Sequence, residues 1–280
     1  MIEIAHTIQL ILPVFYGLLL GGCLANFLRP DFGKKWLLPY IGLILLFHAT
    51  YIGIYTRESG HCLMTTSHEL FSLIAFTILT TYTIVELRPR EFSAGTATMV
   101  ALVSFSFQLV SSLSSDISNN HSNPLFSDPI FNIHVTTAVF GYAALTLATV
   151  YGSLYLLLYR SMSNNSFGTV YRGLPSLQRL ERFGVRSSAV GFIFLTLSII
   201  FGALLVGQTL PLSQGAAYLF DPKTIATVLT WLVFGTTILL RRFAKIEGRK
   251  LVIYWMTGFA LIVISMTIIN AVGTEYHSFL

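Results

Sequence analysis

The sequence contains few charged residues for its length, and this scarcity argues against most classes of water-soluble protein. Only 10% of the 280 residues are Asp, Glu, Lys or Arg, whereas 54% are hydrophobic. The mean hydropathy is +0.71, which is typical of an integral membrane protein. The formal net charge of +5 is explained below by topology, so the composition gives no reason to expect a nucleic-acid partner.

The groups that most enzymes and transporters need are also scarce. The chain has two cysteines and no Cys-x-x-Cys pair, and no glycine-rich phosphate loop occurs. Cys23 falls near the inner end of the first predicted span, and Cys62 falls in an outer loop. Because the two lie about a membrane thickness apart, we expect no disulfide between them. No carboxylate falls in the middle of an apolar stretch, although proton- and cation-coupled transporters usually carry one there. These absences favour an assembly or binding protein over a stand-alone enzyme.

Long apolar stretches dominate what remains. Each is close to the ~20 residues that an α-helix needs to cross a bilayer. The eight stretches cover residues 8–28, 36–55, 68–86, 93–113, 132–158, 187–206, 223–240 and 251–271. No connection is long enough for a soluble module. We therefore predict an all-α polytopic membrane protein of about eight spans, with residues 1–280 forming one integral domain.

The basic residues fall almost entirely on one side of this bundle. Of 17 lysines and arginines, all but Arg57 and Lys223 lie in or beside the first, third, fifth and seventh connections. The positive-inside rule places those connections in the cytoplasm. Both termini are then outside, and the protein is predicted to be a multi-pass protein of the inner cell membrane.

All seven histidines lie at or near the predicted outer side, opposite the basic residues. His48 falls within the second span, about 10 Å below its outer end. Two imidazoles can bind a haem iron from opposite faces, although each histidine alone could be structural, and His48 could simply bond a neighbouring helix. The predicted surface histidines are His6, His61, His68, His121, His134 and His277.

Three helix starts are predicted from local signals. Asp221-Pro222 combines an N-cap side chain with a proline in the first turn. Thr66 to Glu69 has the pattern of a capping box, and Ser176 can cap an amphipathic helix that runs into the sixth span.

The segment around Asp221 carries a resemblance to a known family. Residues 214–220 (QGAAYLF), Asp221-Pro222-Lys223 and Trp231 resemble the tryptophan-rich haem-handling segment of the cytochrome c assembly superfamily, which includes CcsA, CcmC, CcmF, HemX and YpjD. The segment 207–231 is degenerate here, because tryptophans are usual where Gln214, Tyr218 and Phe220 stand. Residues 174–183 and 247–250 are similar to the HemX and YpjD branch.

The resemblance implies haem b as the cofactor and cytochrome c maturation as the process. His134 matches the family's haem-ligating histidine before the segment, and His277 matches the one after it. The expected partners are haem, apocytochrome c and other cytochrome c biogenesis membrane proteins. The site residues that it implies are His134 and His277 on the haem iron, with Tyr218, Phe220, Asp221 and Trp231 against the macrocycle and His48 at a lower station.

Two departures from the family pattern, the missing tryptophans and a missing histidine, keep other functions open. CcsA-type proteins carry a further histidine where Leu239 and Leu240 stand here, so His48 lacks that partner. One alternative is a HemX-like regulator of haem biosynthesis that acts through its cytoplasmic loops. The other is a structural membrane subunit whose haem site is degenerate and empty.

Overall fold

The structure is a computed structural model and describes residues 2–29, 34–59, 67–86, 93–114, 128–209 and 220–272. Within those ranges all regular structure is helical. The nine helices are α1 (Ile2–Leu28), α2 (Lys34–Ser59), α3 (Ser67–Val85), α4 (Ala94–Leu113), α5 (Pro129–Ser163), α6 (Thr169–Gly173), α7 (Leu177–Thr209), α8 (Pro222–Phe243) and α9 (Arg249–Val272). The all-α fold predicted from the sequence is therefore confirmed.

Seven helices in the described part of the chain are long and apolar enough to cross a membrane: α1 to α5, α7 and α8. The eighth predicted span falls on α9, which is 24 residues long. Helices α5 and α7 have 35 and 33 residues, and at 1.5 Å per residue each exceeds the ~30 Å thickness of the hydrocarbon layer. Each of them therefore extends beyond the apolar part of a bilayer.

Two of the long helices begin at the same local motif. The Asp221 side chain accepts hydrogen bonds from the backbone N–H groups of Lys223 and Thr224 at 2.9 and 3.3 Å. Asp128 does the same for Ile130 and Phe131 at 2.7 and 3.1 Å. A proline follows each aspartate, where a missing N–H costs nothing. The predicted cap at Asp221 is confirmed.

Other sequence-based expectations of helix starts have mixed outcomes. Helix α7 begins directly after Ser176 and continues without a break through the predicted sixth span. Helix α3 begins at Ser67, and Thr66 of the proposed capping box lies outside the described residues. The predicted loop cysteine, Cys62, also lies outside them, whereas Cys23 is buried.

The helices form two groups that share one interior. In the first group, α1 packs on α2 and α4, and α3 packs on α4 and, less extensively, on α2; in the second, α5 packs along α7 and on α9, which itself packs on α8. Helix α3 joins the groups by packing against α5. Large apolar side chains are also exposed on the outside of the bundle, for example Leu18, Leu46 and Ile193. Such an exposed apolar surface suits lipid rather than water.

Close contact between α5 and α7 depends on glycine. A Cβ atom at Gly141 would lie 3.1 Å from the backbone nitrogen of Leu195, and one at Gly191 would lie 3.0 Å from the carbonyl oxygen of Gly141. Small residues of this kind allow helix backbones to approach within a membrane. The result is a fixed antiparallel register between α5 and α7.

The two ends of the bundle differ in chemistry. We call the end that contains the starts of α3, α5 and α8 the histidine end, and the opposite end the basic end. At the basic end, the Arg241 guanidinium lies 3.1 Å from the Glu181 carboxylate, which also accepts a 2.9 Å bond from the backbone N–H of Gly248. These contacts tie α7, α8 and α9 together there.

Candidate functional site

His134 lies in the second turn of α5 and is held by the backbone of α7. Its Nδ1 lies 2.8 Å from the carbonyl oxygen of Ser198, so Nδ1–H donates to that oxygen. The Ser198 hydroxyl donates in return to the His134 carbonyl oxygen at 3.1 Å. With Nδ1 protonated, the lone pair of the neutral ring is on Nε2, which makes no hydrogen bond with the described part of the chain.

A glycine on α7 makes room for this ring. A Cβ atom at Gly202 would lie 2.9 Å from Cε1 of His134 and 3.0 Å from its Nδ1. Real Cβ atoms do not approach other atoms so closely, so any larger residue at position 202 would push the imidazole away. Gly202 and Ser198 therefore fix the orientation of the ring from one face of α7.

Trp231 lies deeper, between α7 and α8. Its ring stacks on Phe192 with a centroid distance of 5.2 Å and an interplanar angle of 19°. Its Nε1–H donates to the Thr196 hydroxyl at 2.8 Å. Thr196 lies six residues from Gly202 along α7, so Trp231 is about 9 Å below His134. The indole braces the two helices beneath the site in this conformation.

The start of α8 forms another wall of the site. Asp221 is 5% exposed, and its carboxylate is committed to the helix cap described above. Lys223 follows in the first turn and is half-buried. Its positive charge acts electrostatically on the His134 ring.

Not all the predicted site residues are brought to this place. The Phe220 side chain is 77% exposed, immediately before the cap of α8. Tyr218 and His277 lie outside the described residues, as do His61 and His121. The proposal that a second imidazole faces His134 therefore depends on a residue that the described ranges do not include.

His48 occupies a different environment in the first group of helices. Its side chain is 0% exposed, with Nδ1 3.0 Å from the Tyr16 hydroxyl and Nε2 3.0 Å from the Ser72 hydroxyl. Ser72 donates its own proton to Gln108 at 3.2 Å. Nε2–H of His48 therefore donates to Ser72, and Nδ1 accepts from Tyr16. Iron could bind His48 only after one of these bonds had broken.

The chemistry available at His134 is that of a single oriented ligand. The described residues contain no group of three or more His, Cys, Asp and Glu side chains that could hold a bare metal ion. Haem iron needs only one or two protein ligands, because the macrocycle supplies the other four nitrogens. An imidazole whose Nδ1–H bonds a backbone carbonyl is the usual form of a metal-ligating histidine. His134 therefore fits an axial haem ligand.

Two residues of this site, Ser198 and Gly202, and one helix start, Asp128-Pro129, were not predicted from the sequence. Ser198 and Gly202 are ordinary residues in an apolar helix, and only the register with α5 gives them a role. Asp128-Pro129 could have been found, because it has the same signal as Asp221-Pro222. It would have predicted the first turn of α5 directly and placed His134 in the second turn.

Comparison with known proteins agrees with the resemblance found in the sequence. The family model described as "Cytochrome C assembly protein" matches residues 62–277. The cytochrome c biogenesis protein CcsA of Chlamydomonas reinhardtii is 29% identical over 147 residues, which are 52% of this chain and 39% of that protein. CcsA of Chlorella vulgaris is 26% identical over 257 residues, covering 79% of this chain and 78% of that protein.

A HemX protein also matches. Protein HemX of Brevibacillus brevis is 30% identical over 102 residues, covering 36% of each chain. Several of the CcsA relatives are matched over little more than a third of their length, for example 34% of the Phaseolus vulgaris protein. No solved structure matches the chain significantly. With the family model covering most of the sequence and the helical membrane fold in agreement, the chain belongs to the cytochrome c assembly protein family.

Proposed function

We propose that this protein binds haem b at the histidine end, through His134, and presents it for cytochrome c maturation. The observation that carries the proposal is the His134 imidazole, whose Nδ1 bonds the Ser198 carbonyl oxygen at 2.8 Å while Nε2 makes no hydrogen bond with the described residues. Metal-ligating histidines are oriented in this way. Membership of the cytochrome c assembly family supports haem as the ligand.

The chain's own residues would bind, orient and cover the ligand. His134 would hold the haem iron from α5, and we propose that His277 would hold it as well. The segment that includes Tyr218 and Phe220 would lie against the macrocycle, anchored by the Asp221 cap of α8. Haem, when bound, would supply the vinyl groups to which apocytochrome thiols attach. The protein's contribution is therefore positional, and a partner protein is needed to bring the apocytochrome.

Absorbance of the purified protein tests this site. The protein expressed with sufficient haem should show a Soret band, and His134→Ala or His277→Ala should each reduce haem retention and shift the spectrum. Added imidazole should partly restore both, because it can occupy the vacated axial position. His121→Ala is the matched control, since His121 is predicted to lie in a solvated loop. A double variant that retains the wild-type spectrum would exclude this site.

We further propose that the histidine end faces outward. The distribution of 15 basic residues at one end against Arg57 and Lys223 at the other favours a cytoplasmic basic end and termini outside. Reporter fusions after Leu280 and within residues 164–168 should report outside and inside, respectively. The reverse result would place His134 in the cytoplasm and contradict presentation at the outer face.

A HemX-like regulatory function is the second candidate. The HemX match over 36% of the chain favours it, and such a protein would act on a cytoplasmic partner of haem biosynthesis through the basic end. Deletion of the gene separates the two functions. Loss of attached c-type haem with unchanged haem-synthesis enzymes supports presentation, whereas altered enzyme levels with intact c-type cytochromes support regulation. If neither changes, the structural-subunit alternative is the better one.

A further inference from the structure

We propose that Lys223 binds a carboxylate of the ligand held at His134, so that the site selects a macrocycle that carries a free propionate group. This inference rests on the proposed function and adds the chemical feature by which the ligand is recognised. It assigns Lys223 as a ligand-binding residue, a role that neither the family pattern around Asp221 nor the charge asymmetry gives it.

Helix register brings Lys223 level with His134. Trp231 of α8 lies beside Thr196 of α7, and Lys223 is eight residues nearer to the start of α8, which is about 12 Å. Because α7 runs antiparallel to α8, the same rise along α7 from Thr196 leads just past Gly202. Gly202 is the residue against which the His134 ring lies. The two side chains therefore stand at the same depth on neighbouring sides of α7.

The local charges leave the ammonium group available. Lys223 is half-buried, and within the described part of the chain its ammonium group makes no hydrogen bond or ion pair. Among the described residues, the carboxylate that acts on Lys223 electrostatically is Asp221. However, the Asp221 carboxylate already accepts two backbone hydrogen bonds at the cap. A carboxylate of a bound ligand could therefore form an ion pair with the Lys223 ammonium group.

The position also suits the shape of haem. A haem plane that accepts an imidazole nitrogen on one face carries its two propionates at one edge, several ångströms from the iron. A cation beside the imidazole, rather than opposite it, can reach that edge. A charge-assisted bond between ammonium and carboxylate is roughly twice as strong as a neutral one, and partial burial protects it from salt screening.

Binding titrations with two probes test the inference. The purified apoprotein in detergent is titrated with ferric protoporphyrin IX and with its dimethyl ester, which has the same iron and ring but no carboxylates. Wild-type protein should bind the acid about tenfold more tightly than the ester, a difference that corresponds to one charge-assisted contact. In Lys223→Gln this preference should disappear, chiefly through weaker binding of the acid.

Two further variants control for indirect effects. Lys223→Arg keeps a cation and should retain most of the preference for the acid. Lys245→Gln removes an exposed cation at the basic end and should leave both affinities unchanged. Circular dichroism and thermal unfolding of each variant would establish that it is folded before it is titrated.

The outcomes separate this inference from the proposed function. If wild type and Lys223→Gln bind both probes with equal affinity, haem binding stands and the role of Lys223 is wrong. If neither probe binds any folded variant, including wild type, the proposed function itself is contradicted. Loss of affinity for acid and ester alike in Lys223→Gln would make the lysine a structural residue and would also overturn the inference.

Discussion

His48 and His134 are both histidines of membrane helices, but the protein treats them in opposite ways. His48 is fully enclosed, both of its nitrogens are hydrogen-bonded, and its ring contacts Tyr16, Tyr51 and Phe76 at centroid distances of 5.2–5.9 Å. His134 is half-buried, and within the described ranges only its Nδ1 is hydrogen-bonded. Iron requires a nitrogen lone pair, so only His134 is ready to bind it without rearrangement.

For these two histidines, the number of imidazole nitrogens that are hydrogen-bonded is a better guide to function than the burial of the side chain. A buried polar side chain in a membrane helix is costly unless it has partners, and both nitrogens of His48 have partners, Tyr16 on α1 and Ser72 on α3. At His134 one nitrogen is bonded to the backbone of α7, and the other makes no hydrogen bond with the described residues. Substitutions can test this difference, and those below are arranged from the largest expected effect to the smallest.

Truncation of the two histidines should affect different properties. His48→Ala leaves a cavity and removes the partners of Tyr16 and Ser72, so the free energy of unfolding should fall by about 3 kcal/mol. His134→Ala should change it by less than about 1 kcal/mol but abolish most haem retention. Denaturation in detergent and the Soret absorbance measure the two effects. If both variants lowered the free energy of unfolding equally, the proposed difference between a structural His48 and a ligand-binding His134 would be contradicted.

Gly202→Ala should displace His134 without removing it. The new Cβ would lie 2.9 Å from the ring, so we expect haem affinity to fall about tenfold through loss of orientation. Gly207→Ala is the matched control on the same helix, because a Cβ there has no neighbour within 4 Å. It should stabilise α7 slightly through higher helix propensity. Wild-type haem affinity in Gly202→Ala would show that the ring orientation is unimportant.

The two aspartate caps should have equal effects on stability and unequal effects on binding. Asp128→Ala and Asp221→Ala should each reduce the free energy of unfolding by about 1 kcal/mol. Only Asp221→Ala should loosen the segment that includes Tyr218 and Phe220 and so lower haem occupancy appreciably. Phe220→Trp restores the aromatic residue usual in the family and should preserve or increase occupancy. If Asp221→Ala has no effect on occupancy and Phe220→Trp abolishes it, the segment is not a haem platform.

Glu86 extends the comparison to an ionisable group with a complete set of partners. It is 3% exposed and accepts hydrogen bonds from Tyr151 at 2.9 Å and Thr96 at 3.1 Å. Burial raises the pKa of Glu86 to about 8, although these bonds oppose the shift. Between its ordinary pKa and 8 the folded protein therefore holds a proton that the unfolded chain lacks, so stability should fall as the pH rises through this range.

Glu86→Gln should flatten that dependence, because an amide does not titrate. Melting temperatures of wild type and variant between pH 5 and 9 would measure it, and haem affinity at pH 7 should be unchanged. An identical pH profile for the two proteins would show that Glu86 is already ionised in the folded state.

Much of the fold could be predicted from the sequence, because apolar length, charge asymmetry and caps are local signals. The spans, the start of α7 after Ser176 and the cap at Asp221 followed from them. The arrangement around His134 did not, because it depends on which faces of α5, α7 and α8 meet. The contact between Gly202 and the His134 ring follows only from that register. For His48 the sequence left two possibilities, and the partners Tyr16 and Ser72 lie on other helices.

The hydrogen bond that orients His134 is accepted by a main-chain oxygen, and this affects how the site tolerates mutation. Every amino acid carries that carbonyl group, so no point substitution at position 198 deletes the acceptor, and Ser198→Ala would remove only the two contacts of the hydroxyl, with the His134 carbonyl oxygen at 3.1 Å and with Nδ1 at 3.2 Å. The orientation of the imidazole is therefore buffered against mutation at the position that supplies it. It remains vulnerable one turn further along α7, where Gly202 leaves no space for a side chain.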